Sequence, residues 1–509
     1  MTTITADEGF LGKIDVHDRL RFETKFDYPF VEGEKTSRYA VEAYFFIPAS
    51  LQLNAHSYPI DDFYADIKGY VRFKTPQMTL EQLLSEKNAN SPLKRIRDDV
   101  QALLVAGRDR RDAIIYESKM LVAIMRAALR DVTLLIRKLG SARYQSGPHD
   151  AQKVLHRALE HIQQIMNAFR QQLQLALSPA STEDFRLSLN FADEYLSLTV
   201  ESFAVMAYDE LARIPDCESS CDELLALIVQ ERKHRKNRGY PSLPEPESDN
   251  EQFIYRVSML KKYVSSILFL EIARTSARKK YETTFFALGA GLAMLFSTLV
   301  VFFAQAHLVR FSWALVVVFV CSYMVKDRLK EYLRLTFDRF ISDHFCDFET
   351  HIYDPNRNGH KLGSSRQKAL YLPNSELPRD VLKVRNRGRT ELLVEREFEE
   401  QVIRYQKQIV LLPQELEEIH GRVRAVTDII RFNVRHFLGN MDEPVKEVRI
   451  LDPETHRPQV RPASKVYHLN VILRFKKERD SSYTLKKLRV ILDRNGIKRV
   501  ERFDGRKAP

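Results

Sequence analysis

Hydrophobic and polar positions change their rhythm several times along this chain, and each change marks an element. Residues 19–27, 39–47 and 66–75 are rich in Phe, Tyr and Val. Polar turn-formers separate them, Glu32-Gly33-Glu34 and residues 54–61. This reads as a small antiparallel sheet within a strand-rich N-terminal part, 1–78.

From Thr79 apolar residues recur every three or four positions. Leu121, Ile124, Ala128, Val132 and Leu135 form one such face, and Leu155, Ala158, Ile162, Ile165, Phe169 and Leu173 another. In a third, around Tyr195, Leu198 and Val205, Glu201 breaks the apolar run. Thr79 with Glu81 and Gln82, and Ser181-Thr182-Glu183-Asp184, offer helix-start chemistry. These spacings predict a helical bundle over 79–240. Residues 241–250 (PSLPEPESDN) form a polar linker, and a further amphipathic helix is predicted at about 251–277.

Residues 283–306 then run for 24 positions without a charge. At about 1.5 Å per residue such a helix outreaches a hydrocarbon core of about 30 Å. A second uncharged run, 311–325, follows after the link 307–310. Its 15 residues fall short of the roughly 20 needed, and snorkelling of Arg310 and Lys326 extends it to a span at about 309–326. The two together predict a transmembrane hairpin within a membrane-proximal region, 251–345. Lys261, Lys262, Arg274, Arg278, Lys279 and Lys280 precede the first run. Lys326, Arg328, Lys330, Arg334 and Arg339 follow the second. Basic flanks stay in the cytoplasm. Both termini are therefore expected there, as in a protein of a bacterial inner membrane. The start of the chain has no basic stretch leading into an apolar one, so no signal peptide is expected. Ala287/Gly291 and Gly289/Ala293 are small pairs four apart, the spacing of close helix contacts.

Beyond the second run, residues 326–345 continue as a basic helix and 351–383 read as loop. A helix pair is expected at 391–438, on Leu416, Ile419, Val423, Val426, Ile430, Val434 and Phe437, with Pro413 as a break. Strands are expected at 445–451, 467–475, 485–493 and 497–503, with Asn495-Gly496 as a hairpin turn. A three-residue loop at 494–496 sets Val490 opposite Val500 and Arg489 opposite Glu501, whereas a two-residue loop would set Arg489 against Arg502, so the three-residue loop is expected. The fold class is thus an α+β membrane protein: one two-helix transmembrane hairpin, a cytosolic helical bundle, and small strand-rich N- and C-terminal parts, the last within a cytosolic region 346–509.

Composition sharpens this picture. With 44% hydrophobic and 29% charged residues, the 509-residue chain is neither disordered nor a polytopic transporter. Four cysteines exclude a disulfide framework. The net charge of +11 is uneven: residues 1–325 carry equal numbers of each sign, and residues 457–509 alone hold 16 basic and 5 acidic. Arg474, Lys476, Lys477, Lys486, Lys487, Arg489, Lys498, Arg499 and Arg502 are the candidate basic surface, facing anionic lipid head groups or an acidic protein partner. Tyr467, Phe475, Tyr483 and Phe503 are too few for stacking on bases, so nucleic acid is not expected.

No phosphate-binding glycine loop, HExxH, GxSxG or EF-hand pattern occurs. No cofactor and no metal centre are expected. Asp61, Asp62 and Asp66 read as a solvated turn, and Cys217/Cys221, with His344 and Cys346 as further ligands, lack structural-zinc spacing. Catalytic candidates are Asp343, His344, Cys346 and Asp347, with Glu349 and His351 beside them. The expected function is a membrane-anchored, cytosol-facing scaffold or interaction protein, non-enzymatic and self-associating. The alternative is an enzyme acting on a membrane-proximal substrate near 343–351.

Overall fold

The computed structural model describes residues 11–30, 33–105, 109–140, 147–177, 181–215, 217–308, 313–356, 359–387, 400–415, 421–451, 457–477, 480 and 483–503. In chain order the elements begin with β1 (Leu11–Asp18), β2 (Arg21–Pro29), β3 (Ser37–Ile47), α1 (Ile60–Asp66) and β4 (Ile67–Phe73). Seven helices follow: α2 (Leu80–Leu84), α3 (Pro92–Val105), α4 (Arg111–Leu139), α5 (Gly147–Ala176), α6 (Glu183–Leu211), α7 (Glu218–Asn237) and α8 (Glu251–Ser265). Then come β5 (Glu271–Ser276), α9 (Ala277–His307), α10 (Trp313–His344), β6 (Phe348–Asp354), β7 (His360–Leu372) and α11 (Arg379–Asn386). After these lie β8 (Gln401–Leu411), β9 (Ala425–Asn433), α12 (Arg435–Leu438), β10 (Val445–Leu451) and β11 (Pro458–Ser464). The last are β12 (Tyr467–Lys477), β13 (Thr484–Asp493) and β14 (Gly496–Phe503).

The chain divides into two units. One comprises Met1–Val71, Leu270–Leu416 and Ala425–Pro509, the other Arg72–Phe269 and Glu417–Arg424. In the first, an eight-stranded sheet has the order β14-β13-β12-β3-β8-β7-β6-β5 and is antiparallel throughout. A four-stranded sheet, β1-β2-β9-β4, lies across one face of it. Phe45 meets Phe432 at 4.9 Å and Phe26 meets Phe475 at 6.2 Å between the sheets. The other face of β3 carries Tyr44 and Phe46, packed with Leu377 and Val381 around α11. Because β3 is covered on both sides, its second half is continuously buried rather than alternating.

The N-terminal strands therefore do not form a sheet of their own. β3 sits between β8 and β12, and β2 between β1 and β9. One polar clamp joins the sheets. Buried Lys407 donates from Nζ to Asp428 Oδ2 at 2.6 Å, and the Tyr28 hydroxyl donates to the same oxygen at 3.1 Å.

The second unit is a bundle in which α6 packs against α4, α7 and α8. Its first helix is capped as expected: Thr79 Oγ1 accepts from Gln82 N–H at 3.2 Å, and Gln82 Oε1 accepts from Thr79 N–H at 3.0 Å.

The β13–β14 register is the expected one, with Val490 opposite Val500 and Arg489 opposite Glu501. The three-residue loop expected at 494–496 is not formed: Asp493 pairs with Gly496 across a two-residue turn, and a bulge between Ile491 and Leu492 restores the register. Gly496 has φ +126°, and a Cβ there would stand 2.2 Å from the Arg19 carbonyl oxygen. Only glycine fits both conditions.

Several expectations need correction. The two-helix transmembrane hairpin is not supported: among the described residues only α9 is long and apolar enough to cross a membrane. The apolar part of α10 is Trp313–Val325; beyond it come Lys326, Asp327, Arg328, Lys330 and Glu331. Thirteen residues reach only about 20 Å, short of a core of about 30 Å. Residues 309–312, with Arg310, lie outside the described residues. The helix expected to run to 277 ends at Ser265, and β5 follows as the partner of β6. Residues 351–383 hold most of β6, then β7 and α11, rather than loop.

Where it is described, the helix pair expected at 391–438 is instead mainly β8 and β9, with helix only at 413–415 and in α12, which holds Phe437; Leu416, Ile419 and residues 391–399 lie outside the described residues. Val426, Ile430 and Val434 are four apart, a spacing that suits a helix face and also every second pleat of a strand. Their β-branched side chains favour the strand.

The Lys407–Asp428 clamp yields a test. Lys407→Met strands a buried carboxylate and should cost about 3–5 kcal/mol in guanidinium unfolding, while Lys407→Met with Asp428→Leu should regain most of the loss.

Candidate functional site

The feature that departs furthest from ordinary globular packing is the arm formed by α9 and α10. Ser276 caps α9, its Oγ accepting from Lys279 N–H at 3.3 Å. The base of the arm is polar and aromatic. Arg278 bonds Glu282 at 2.6 Å and Asp338 at 3.0 Å. Tyr281 packs on Phe345 at 4.1 Å, and Phe285 on Phe337 at 5.5 Å.

Further out the helices approach closely through small residues. A Cβ on Gly289 would meet the Phe337 ring at 3.2 Å. Ala293, Ala304 and Ser322 are buried, and the Ser297 and Ser322 hydroxyls bond at 2.9 Å. The Gly289/Ala293 pair is thus spent within the arm, whereas Gly291 has open space beside it.

The remainder of the arm is apolar and exposed. Leu295, Leu299, Phe302 and Phe303 on α9, and Trp313 and Met324 on α10, all face outward, Trp313 with 85% of its surface free. Only 11% of the most apolar stretch of α9 is buried. A core helix would show the reverse. Lys279, Lys280, Arg328, Lys330, Arg334 and Arg339, nearer the base, are exposed cations.

The segment proposed for chemistry is dispersed. The Asp343 side chain lies outside the described residues. His344 Nδ1 bonds the Phe340 carbonyl of its own helix at 3.0 Å, and its ring stacks on Phe340. Burial pushes the half-buried Cys346 thiol up, away from the reactive thiolate. Asp347 is buried, accepting from the Tyr64 hydroxyl at 2.7 Å and the Ala369 N–H at 2.9 Å. Glu349 lies 3.7 Å from Arg366, and half-buried His351 pairs across the sheet with Ala273 and Ser364. Asp61 is exposed while Asp66 turns inward, accepting from Tyr58 and His436, each at 2.7 Å. Cys217 and Cys221 belong to the helical unit, His344 and Cys346 to the other. Among the described residues no group of three His, Cys, Asp or Glu could hold a metal. A cavity of about 90 Å³ is lined by Ile272, Ile352 and Ile430 as well as by Arg274, Thr350, Gln367 and Lys407.

The basic residues near the C-terminus are distributed, not gathered. Arg474 pairs with Glu42 at 2.9 Å and Asp380 at 3.0 Å, and lies over the Tyr483 ring beside Lys476. Lys477 approaches Glu34 at 4.0 Å. Lys487 departs from the expected surface altogether. It is buried, donating to the Arg385 and Arg387 carbonyls at 2.8 and 3.0 Å. Arg489 and Arg499 share Glu501, Lys498 approaches Asp493, and Arg502 donates to the Ile14 carbonyl. Lys486 is half-buried on β13. Most of these basic residues are therefore tied into the fold.

What the sequence did not reveal is a buried ionic network in the bundle. Arg170 bonds Asp193 at 3.0 Å and Glu231 at 2.7 Å, while His234 and Tyr240 close on Asp193 at 2.8 and 2.9 Å. Arg235 is fully buried against Glu201 and Ser197, and Arg256 holds Glu194 at 2.6 Å. Glu201, the break in an apolar face, was the visible signal. Its partners sit on another helix, 31 and 34 residues away.

Burial alone would raise the Asp193 carboxyl, but the His234 hydrogen bond and the Arg170 charge hold it below its usual value. Its stabilising effect is therefore complete above about pH 4, the unfolded value, and is lost as pH falls through the folded one. Asp193→Asn should lower stability at pH 7 by about 3–5 kcal/mol and flatten the acid limb of the stability–pH curve, read by urea unfolding at pH 2–7. Compared with protein-family models, with curated proteins and with solved structures, the chain matches none.

Proposed function

We propose that this protein is a membrane-attached interaction protein, held by α9, that works by binding rather than by catalysis. The observation that carries the reading is the exposed, uncharged length of α9. Each large apolar side chain left in water forgoes about 1.5–3 kcal/mol of burial, so a surface of this extent calls for an apolar medium.

Two features support attachment from one side. Ser276 and Phe348, at the two ends of the arm, are paired in adjacent strands, which keeps both flanks together. The exposed cations nearer the base would meet anionic head groups, at about 1 kcal/mol for each residue close to the surface. By the positive-inside rule that side is the cytoplasm, and both termini belong to it. The folded units would then present binding surfaces to a protein partner or to a second copy.

The full-length chain should stay with membranes through alkaline carbonate and float with phosphatidylglycerol-containing vesicles. Leu295→Lys with Phe302→Lys changes two exposed positions. Each charge placed mid-bilayer costs about 2.5–3.5 kcal/mol, so this variant should move to the soluble fraction. Release of the wild-type chain by carbonate would refute attachment. An unchanged double variant would refute α9 as its means.

A further inference from the structure

Among the described residues strand β10 pairs only with β11, and every residue of it is exposed. An isolated two-stranded ribbon is marginal in water. Here Val445, Val448, Ile450, Leu451 and Val460 add apolar surface with no cover.

The two edges of the ribbon are not equivalent. Just beyond it, Lys465 N–H donates to the Pro444 carbonyl at 2.9 Å, continuing the register in which Val445 faces Ser464. Inward- and outward-pointing backbone groups alternate along an antiparallel strand. Val445, Glu447, Arg449 and Leu451 therefore point their N–H and C=O groups away from β11. On the far edge, Pro458, Val460, Pro462 and Ser464 point away from β10. Pro458 and Pro462 have no N–H to offer, so the β11 edge is closed to further pairing. The β10 edge keeps every donor and acceptor, and no strand pairs with it among the described residues.

We propose that β10 pairs antiparallel with β10 of a second copy, giving a continuous four-stranded sheet about a two-fold axis at Val448. The register follows from charge. Outward residues can bond only outward residues, so the axis falls on Glu447, Val448 or Arg449 if the strand is to be used near its full length. An axis on Glu447 sets two glutamates face to face, and one on Arg449 sets two arginines together. Like charges directly opposite are unfavourable. The axis on Val448 places Glu447 opposite Arg449 of the second copy, twice. It also places Val445 opposite Leu451 twice, and Val448 beside its own counterpart. All four outward residues of each strand are then hydrogen-bonded. This names a partner for the interaction-protein reading but does not depend on membrane attachment.

The test uses the full-length chain in detergent solution, without a bilayer, followed by sedimentation equilibrium. Wild type should be a dimer. Glu447→Arg or Arg449→Glu alone should weaken dimerisation at least about tenfold, since either sets like charges opposite. Mixing the two single variants should restore the dimer, and so should combining both changes in one chain. Val448→Cys should cross-link on mild oxidation. Across the new seam it occupies a non-hydrogen-bonded pair with Cα atoms about 4.5 Å apart, within disulfide range. A monomeric wild type, a dimer indifferent to both reversals, or a Val448→Cys chain that fails to cross-link would overturn the proposal. Flotation with vesicles is read separately and is untouched by any of these outcomes.

Discussion

The central strand Ser37–Ile47 must be held on both sides by chain that is synthesised far later. Glu42 bonds Gln406, 364 residues away, and Arg474, 432 residues away. Until those strands arrive, β3 has neither its ladder partners nor cover for its two apolar faces. Such non-local closure is slow and entropically costly. It also dictates the layout of everything between. The Leu270 N–H donates to the Val71 carbonyl at 3.0 Å, so the helical unit leaves and rejoins its sheet at neighbouring points. The arm likewise departs at Ser276 and returns at Phe348. Both are excursions from one antiparallel framework.

Within that framework charge and apolar surface are arranged in opposite senses. In the bundle and the sheets, buried carboxylates meet cations: Asp193 and Glu231 meet Arg170, Asp428 meets Lys407, and Glu117 meets Arg422. Removing one member of such a pair is far more harmful than replacing both. The arm does the reverse and exposes Leu, Phe and Trp to its surroundings. The ribbon Val445–Ser464 repeats this on a smaller scale, with exposed valines and an open strand edge. Surfaces that are costly in water are concentrated where contact with something else would relieve them.

Local chemistry was legible wherever a short stretch settled its own structure. The Thr79 capping box, the bundle helices and the Val490–Val500 register followed from neighbours in sequence. The uncharged run 283–306 stood out because nothing interrupts it. Errors arose where local pattern was ambiguous. A spacing of four at Val426, Ile430 and Val434 fits helix and strand alike, and the apolar stripe before Leu270 gave no sign that an edge strand would follow. The candidate site was legible only in part. Apolar length marked α9, but extending the short second run past its flanking cations overstated α10, whose charges begin at Lys326. Asp347 looked reactive beside His344 and Cys346, yet its carboxylate serves Tyr64 and Ala369.

The sequence by itself determined which segments are helix or strand where their period is unambiguous, where charge accumulates, and that one long stretch avoids charge entirely. Tertiary structure alone decided which charges lie inside. It turned Lys487 from an expected surface cation into a buried donor to two backbone carbonyls, and Glu201 from a flaw in an apolar face into a partner for Arg235. The physical reason is that a buried charged group is stable only where a hydrogen-bond or ionic partner meets it. Pairing across tens to hundreds of residues is set by topology, which no local period encodes.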